Sequence, residues 1–373
     1  MANQIYEASL ISARKIQYGH ADDLLLPHRD VDQYFPTPYM VKDDGTIEFC
    51  LYYPNASTVE VQIFGKGCFA LTKDGDFFKG SVNAGVGVIG VTLLLDGNEA
   101  LSPYLPVCYS GNLQLNYVDV PDPELILPEQ DIPHGTVSLR NLHSKITNRL
   151  ERFVVYTPPM YEQESQRRFP VLYLQHGHGE NEMSWYHLGK MNFTYDHLIA
   201  EKKAEPAIVV MCNGMYYDEN TSGIDLRMEK LGQLLLGEII PFIESSYHTF
   251  TDREHRAMAG LSMGSMQTSM LTLLHPEMFG YVGVFSGFVQ EFLCGHTDHV
   301  QEDKLKRFAQ DNIVYYRAMG DEDIHFSHFE DDDALLARYN IPCTRKIYHG
   351  EHDWKVWRYC IYDFAQMIFK GEQ

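Results

Sequence analysis

Five residues, Gly260-Leu261-Ser262-Met263-Gly264, carry the clearest chemical pattern in this chain. A serine hydroxyl is a weak nucleophile until a base takes its proton. In a G-x-S-x-G turn the serine sits on a sharp bend between a strand and a helix, and glycines flank it because side chains there would collide. The neighbouring sequence supplies both elements: apolar Ala257-Met258-Ala259 leads in, and a helical pattern over 265–274 leads out. Ser262 would then stand exposed at a helix N-terminus, beside a Met263 N–H able to stabilise an oxyanion. The plain alternative is a Gly/Ser turn without chemistry.

A serine of this kind needs an imidazole and an orienting carboxylate, and on such a turn the chain order is serine, acid, histidine. Two post-strand segments fit that order. Gly320-Asp321-Glu322-Asp323 follows an expected strand over 313–319, and His349-Gly350-Glu351-His352-Asp353-Trp354 follows one over 344–348. His352 lies in the loop and His349 at the strand's own end, so His352 is the expected base. The pattern leaves Asp321 and Asp323 both open as the acid. A second oxyanion donor should come from the loop after an earlier strand. That loop reads Gln175-His176-Gly177-His178-Gly179-Glu180. His176 and His178 lack a third ligand for a metal. This loop matches neither GxxxxGK[ST] nor GxGxxG, which argues against a nucleotide cradle there. No metal and no cofactor is expected.

The elements that must position these residues alternate. Strands are expected over 152–156, 171–175, 207–212, 256–259, 282–285, 313–319 and 344–348, and helices over 191–203, 226–247, 267–274 and 327–339. Strands separated by helices imply parallel pairing in a doubly wound sheet, with ligands at the strands' carboxyl ends. The acidic run Glu330-Asp331-Asp332-Asp333 is expected as a solvated helix start. From 46 to 100 the pattern changes to short β-branched and aromatic runs broken by Pro54-Asn55, Gly65-Lys66-Gly67, Asp74-Gly75-Asp76 and Asp96-Gly97-Asn98, which suggests a small β-sandwich. Its aromatics Tyr52, Tyr53, Phe77 and Phe78 are expected in the core. Proline-rich 102–133 is expected as an irregular linker. The expected division is an N-terminal module with linker over 1–125 and a catalytic domain over 126–373.

A length of 373 residues suits two domains. The net charge of −21 repels phosphate backbones and anionic lipid, so nucleic acid and membrane surfaces are excluded as partners. No apolar run reaches the roughly 20 residues that span a bilayer. The N-terminus lacks a basic start followed by an apolar core, so no signal peptide is expected. The seven cysteines are odd in number, widely spaced and without a CxxC pair, which points to a reduced, cytoplasmic chain. A homodimer is allowed by all of this.

The blocks running from His176 to Trp185, from Arg256 to Gly264 and from His352 to Arg358 resemble the three signature blocks of the esterase-D-like esterases. That group includes feruloyl and acetyl-xylan carbohydrate esterases and, more distantly, enterochelin esterases and mycolyltransferases. Ile132-Pro133-His134-Gly135, leading to 152–159, resembles the opening of the catalytic domain in bacterial feruloyl-esterase-like proteins. The resemblance covers about 131–369. The N-terminal part resembles the immunoglobulin-like or glycogen-binding-type module often fused to these esterases. It implies an α/β-hydrolase domain, doubly wound and mostly parallel, preceded by a small all-β sandwich.

Position by position, the resemblance makes Ser262 the nucleophile, His352 the base and Asp323 the acid, the last because it ends a G-x-x-D turn. It places the oxyanion donors at the backbone of His178 and Met263, and substrate contacts at Trp185, Trp354, Gly177 and Gly179. Ser265 departs from the family, which usually has glycine there. The implied function is a serine carboxylesterase acting on hydroxycinnamoyl (such as feruloyl) or acetyl esters of sugars, oligosaccharides or small alcohols. A siderophore-ester or thioester hydrolase and an acyltransferase share these residues. A non-catalytic glycan-binding protein is the reading from another class.

Overall fold

In a computed structural model, residues 38–122, 124–125, 131–218, 223–224, 229–287 and 302–370 are described. The chain divides into two compact units, Met1–Gln130 and Asp131–Gln373. Residues 1–37 of the expected N-terminal module, 226–228 of the expected long helix and Cys294 lie outside the described residues.

The first unit is all β. Its strands are β1 (Tyr39–Val41), β2 (Thr46–Tyr52), β3 (Val59–Ile63), β4 (Gly67–Ala70) and β5 (Thr72–Asp74). They continue as β6 (Phe77–Asn83), β7 (Gly87–Leu95), β8 (Asn98–Ala100), β9 (Val107–Ser110) and β10 (Leu113–Val120). One sheet runs β1-β2-β6-β5 and the other β4-β3-β7-β10-β9, with β8 on β7. Every described pairing is antiparallel. Alternation explains the layering: Ile47, Phe49 and Leu51 of β2, and Val59, Val61 and Ile63 of β3, all turn into one shared core. Phe78 is buried there and Tyr52 and Tyr53 pack against it, as expected, whereas Phe77 is half-buried outside that core and meets Tyr52 edge-on.

The linker expectation fails over 107–120. Leu113–Val120 forms an inner strand between β7 and β9, with Val118 and Val120 fully buried. The prolines of the segment flank the hairpin rather than interrupt it, and Leu113-Gln114-Leu115-Asn116-Tyr117-Val118 carried a period of two beneath the proline signal. Asn116 anchors the approach. Its side-chain amide donates to the carbonyls of Ser102, Leu105 and Pro106 and accepts from the Ser102 N–H.

The second unit is an eight-stranded sheet in the order β11-β12-β14-β13-β17-β18-β19-β20. Its strands are β11 (Thr136–His143), β12 (Leu150–Thr157), β13 (Val171–Gln175), β14 (Ile208–Cys212), β17 (Arg256–Leu261), β18 (Tyr281–Phe285), β19 (Val314–Gly320) and β20 (Thr344–Tyr348). A separate ribbon pairs β15 (Tyr217–Asp218) with β16 (Gly223–Ile224). Pairing is antiparallel from β11 through β14 and parallel from there to β20. The inner strands β13, β14, β17 and β18 are buried at every position, as consecutive apolar residues require. Edge strand β20 carries Arg345 and Lys346 instead, which discourages further strand addition.

The helices are α1 (Ser184–His187), α2 (Met191–Ala200), α3 (Glu229–Leu234), α4 (Ile240–Ser246), α5 (Met263–Leu274), α6 (Glu302–Asp311), α7 (Phe326–Arg338) and α8 (Trp354–Ala365). A π turn, Leu235–Ile239, joins α3 to α4. Several elements escaped the sequence reading, among them helices α1 and α6, the β15–β16 ribbon, edge strand β11, whose partly exposed residues give no buried run, and α8, which sits inside a motif read only for its chemistry.

The acidic run is also reassigned. It lies inside α7, not at its start, and Asp332 is fully buried against Arg317, itself fully buried on β19. The Arg317 guanidinium reaches Asp332 at 3.2 Å, Asp333 at 2.8 Å and the Phe329 carbonyl at 3.1 Å. Removing Asp332 takes away one of the two carboxylates paired with this buried charge, Asp333 remaining. Asp332→Ala is therefore expected to lower stability by about 1.5–3 kcal/mol, whereas exposed Asp331→Ala should change it by less than about 0.5 kcal/mol. Urea unfolding followed by tryptophan fluorescence checks this, since Trp185, Trp354 and Trp357 all belong to the second unit. Equal midpoints for the two variants would contradict it.

Candidate active site

The carboxyl ends of the parallel strands are level. Gln175 pairs with Gly260, Leu261 with Phe285, and Gly320 with Tyr348. Chain leaving β13, β17, β19 and β20 therefore emerges along one edge, bringing together His176, Ser262, Asp323 and His352.

Ser262 is the residue between β17 and α5, with φ 49° and ψ −120°. Positive φ is uncommon for a residue with a side chain and persists only where the surroundings enforce it. Here two close backbone approaches do so. A Cβ on Gly260 would stand 2.4 Å from the Gly264 carbonyl oxygen, and one on Gly264 would stand 2.5 Å from that of His176. Both glycines of the motif are thus dictated by space. Behind the turn, the Ser265 hydroxyl donates to the Ser262 carbonyl at 2.5 Å. A Cβ on Gly287 would fall 1.5 Å from that hydroxyl oxygen, so Ser265 occupies room that Gly287 leaves open.

The His352 Nε2 is 2.9 Å from the Ser262 Oγ, and its Nδ1 is 2.8 Å from the Asp323 Oδ2. The other Asp323 oxygen accepts from the His325 N–H at 2.9 Å. Burial alone would raise the Asp323 carboxyl, but the hydrogen bond and charge of His352, with the His325 N–H, hold it below its ordinary value. Of the two carboxylates, Asp323 lies against the His352 imidazole and Asp321 does not. Asp321 is exposed and accepts from the Gly350 N–H and faces exposed His349, apart from the Ser262–His352–Asp323 relay. Asp321, Glu322 and His349 are also the one grouping among the described residues with ligand atoms close enough for a metal, and all three are exposed.

The His-Gly loop is built around His176, whose structural part the sequence did not reveal. Its Nε2 accepts from the Gly214 N–H at 2.9 Å, which leaves Nδ1 to donate to the Gly177 carbonyl at 2.7 Å. With both ring nitrogens engaged, His176 is no metal ligand. The Glu180 N–H also donates to the Gly177 carbonyl. A trans peptide sets its N–H opposite its C=O. Fixing the Gly177 carbonyl therefore fixes the direction of the His178 N–H. Across from it, the Met263 N–H belongs to the first turn of α5, where N–H groups have no intrahelical acceptor. Gln267 completes the frame by donating to the Gly214 carbonyl. The signal for His176 was its place directly after a buried strand, but its partner Gly214 arrives from another strand end and is not legible locally.

The tryptophans are placed differently from the sequence expectation. Trp185 is 1% exposed and donates to the Gln175 carbonyl; Trp354 is 7% exposed and donates to Glu180. They pack edge to face on each other, and Trp357 packs edge to face on His352. As buried wedges, Trp185 and Trp354 offer substrate little surface, and what they do is support the loop and the histidine. Gly177 lies over the serine: a Cβ there would stand 3.5 Å from the Ser262 Cβ and 2.7 Å from Leu261. Gly179 has φ 73° and donates its N–H towards the Met215 sulfur.

A largely parallel eight-stranded sheet with a serine on this strand–helix turn defines an α/β-hydrolase fold. The chain belongs to the Esterase family, described as "Putative esterase", which matches residues 144–364. It is 31% identical over 345 residues to an endo-1,4-beta-xylanase/feruloyl esterase of Xylanibacter ruminicola, a match covering 89% of this chain and 46% of that protein. It is 23% identical over 243 residues to endo-1,4-beta-xylanase Y of Acetivibrio thermocellus, covering 58% of this chain and 21% of that one. The chain thus spans less than half the length of these two relatives. Among solved structures, a ferulic acid esterase of Anaeromyces mucronatus aligns with a TM-score of 0.55 and 21% identity, over 66% of this chain and 96% of the other. The enterobactin esterase of Shigella flexneri aligns with a TM-score of 0.58 and 16% identity, over 88% and 94%.

His176 yields a pH prediction. Burial lowers its imidazole from 6.5 to about 4, against the raising effect of the Gly177 carbonyl. The unfolded chain then binds the proton more readily than the folded one. Its stabilising effect is complete above about pH 6.5 and declines towards pH 4, by up to on the order of 3 kcal/mol. His176→Gln should be less stable than wild type at pH 7, with the gap narrowing between pH 6.5 and 4.5 in urea unfolding. A gap independent of pH would mean that the ring is not held neutral.

Proposed function

We propose that this chain hydrolyses carboxylic esters through an acyl-serine, with Ser262, His352 and Asp323 as its catalytic triad. The observation that carries the reading is the continuous relay from the Ser262 Oγ through His352 to a buried Asp323, set on a backbone turn at positive φ. His352 takes the Ser262 proton as the oxygen attacks the ester carbonyl, and returns it to the departing alcohol. The N–H groups of His178 and Met263 receive the negative charge of the tetrahedral intermediate. Water, deprotonated by the same imidazole, then releases the acid. Asp323 keeps the imidazole tautomer and stabilises its charged form.

Feruloyl or acetyl esters on sugars are the substrate class we favour, because the relative matched over 89% of the chain carries feruloyl esterase in its name. A catechol-type siderophore ester is the second reading. It is favoured by the alignment with an enterobactin esterase, which extends over 88% of the chain and so beyond the catalytic unit. The N-terminal sandwich is read as an immunoglobulin-like module that binds glycan or mediates dimerisation. The thiols of Cys50, Cys68, Cys212, Cys343 and Cys360 support the reading of a reducing, cytoplasmic setting.

Hydrolysis of p-nitrophenyl acetate, methyl ferulate and a 2,3-dihydroxybenzoyl ester, wild type beside Ser262→Ala, tests the proposal. Ser262→Ala is expected to lose at least about 10³-fold in kcat, and Asp323→Asn a similar amount through the wrong tautomer. Methyl ferulate should be preferred over the catechol ester. Retained hydrolysis in Ser262→Ala would refute the nucleophile, and a reversed ranking would favour the siderophore reading.

A further inference from the structure

Glu180 plays no part in the proton relay, yet its carboxyl is buried beside it. The Gly177 N–H donates to its Oε2 at 3.0 Å and the Trp354 indole N–H to its Oε1 at 2.9 Å. The first partner belongs to the turn that carries the His178 N–H. The second belongs to α8, two residues after His352. Trp354 meets Trp357 edge to face at 5.2 Å, and Trp357 meets His352 the same way at 5.2 Å.

We propose that Glu180 is a positioning residue, a two-ended clamp that locks the oxyanion turn to the segment holding His352. The inference rests on the catalytic reading of Ser262, His352 and His178 given above. Its basis is the matching of donors and acceptors. Gly177 and Trp354 present one N–H each from different parts of the fold, and a carboxylate offers an acceptor to both. A glutamine of equal size would accept one N–H and turn its own NH2 against the other. The turn needs such a tether because Gly177, lying against Leu261 and close to Ser262, has no side chain of its own to hold it. Burial pushes the Glu180 carboxyl up to about 8 against its two hydrogen bonds, so the carboxylate that accepts both N–H groups is the dominant form only above that pH. Confining a carboxylate here is therefore expensive for stability, a cost understandable where the geometry of a reacting site depends on it.

The clamp acts on the transition state, because a misaimed N–H weakens stabilisation of the oxyanion more than ground-state binding. At about pH 9, where Glu180 is ionised, Glu180→Gln should lower kcat for methyl ferulate or p-nitrophenyl acetate on the order of tenfold with KM within about twofold. Trp354→Phe should lower it by about threefold. The double variant Glu180→Gln with Trp354→Phe is the decisive arm. Removing the indole N–H frees the amide oxygen to serve Gly177, so the double variant should be faster than Glu180→Gln alone. A merely structural role would instead give losses that multiply.

Labelling with a fluorophosphonate, located by peptide mapping, separates the two levels of inference. Wild type that labels at Ser262 and hydrolyses esters, beside a Glu180→Gln variant with unchanged kcat or a double variant showing the product of the single losses, overturns the clamp alone. Wild type that neither labels at Ser262 nor hydrolyses any ester overturns both readings. Should Glu180→Gln fail to fold, Trp354→Phe carries the test: a fall in kcat at constant KM supports the clamp, and wild-type kcat overturns it.

Discussion

The site depends on one place where two backbones come too close for side chains. Gly260 and Gly264 touch carbonyl oxygens of the turn itself and of the neighbouring His-Gly loop, and that contact holds Ser262 at a positive φ it would not choose. The sheet supplies the force. β17 lies between β13 and β18 with every residue buried, so its end cannot relax without disturbing both neighbours. Strain at the serine is therefore sustained by the packing of the whole parallel half of the sheet. The same closeness sets the His-Gly loop over the serine, where the proposed second donor is required.

Around that contact the site is arranged in two layers. The inner layer is the serine, the imidazole and the carboxylate. The outer layer fixes peptide planes: His176 and the Glu180 N–H grip one carbonyl, Gln267 holds Gly214, and the Ser265 hydroxyl holds the carbonyl of Ser262 itself. Most of these partners are buried and neutral, which suits groups whose task is direction and not charge.

What could be read from the sequence follows from how local each constraint is. G-x-S-x-G, the strand ends and the serine–acid–histidine order are local and periodic, so the relay residues and the alternating elements were legible. The preference for Asp323 over Asp321 came only through the resemblance and its G-x-x-D turn, since by pattern alone two carboxylates two residues apart differ only in where a turn points them. The same holds for Asp332, which looks like part of a solvated run until β19 places Arg317 beneath it. Trp185 and Trp354 drew attention because an aromatic in a motif suggests a ligand face, and tertiary contact is what shows their indole N–H groups directed to Gln175 and Glu180. In the first unit, prolines on either side of a hairpin masked the alternation within it. The common lesson is that residue type announces chemistry, while tertiary contact decides which copy of the type performs it.

The exchange of room between Ser265 and Gly287 has a consequence for how such chains can diverge. The two positions share one atom's worth of space behind the elbow, since the hydroxyl of one lies where the Cβ of the other would be. A lineage that changes Ser265 to glycine opens a small void and releases Gly287 to acquire a side chain. A lineage that changes Gly287 first meets a collision. Substitution at this pair is therefore ordered in time, and relatives should carry a small residue at one position or the other, with the bulk moving between them as a unit.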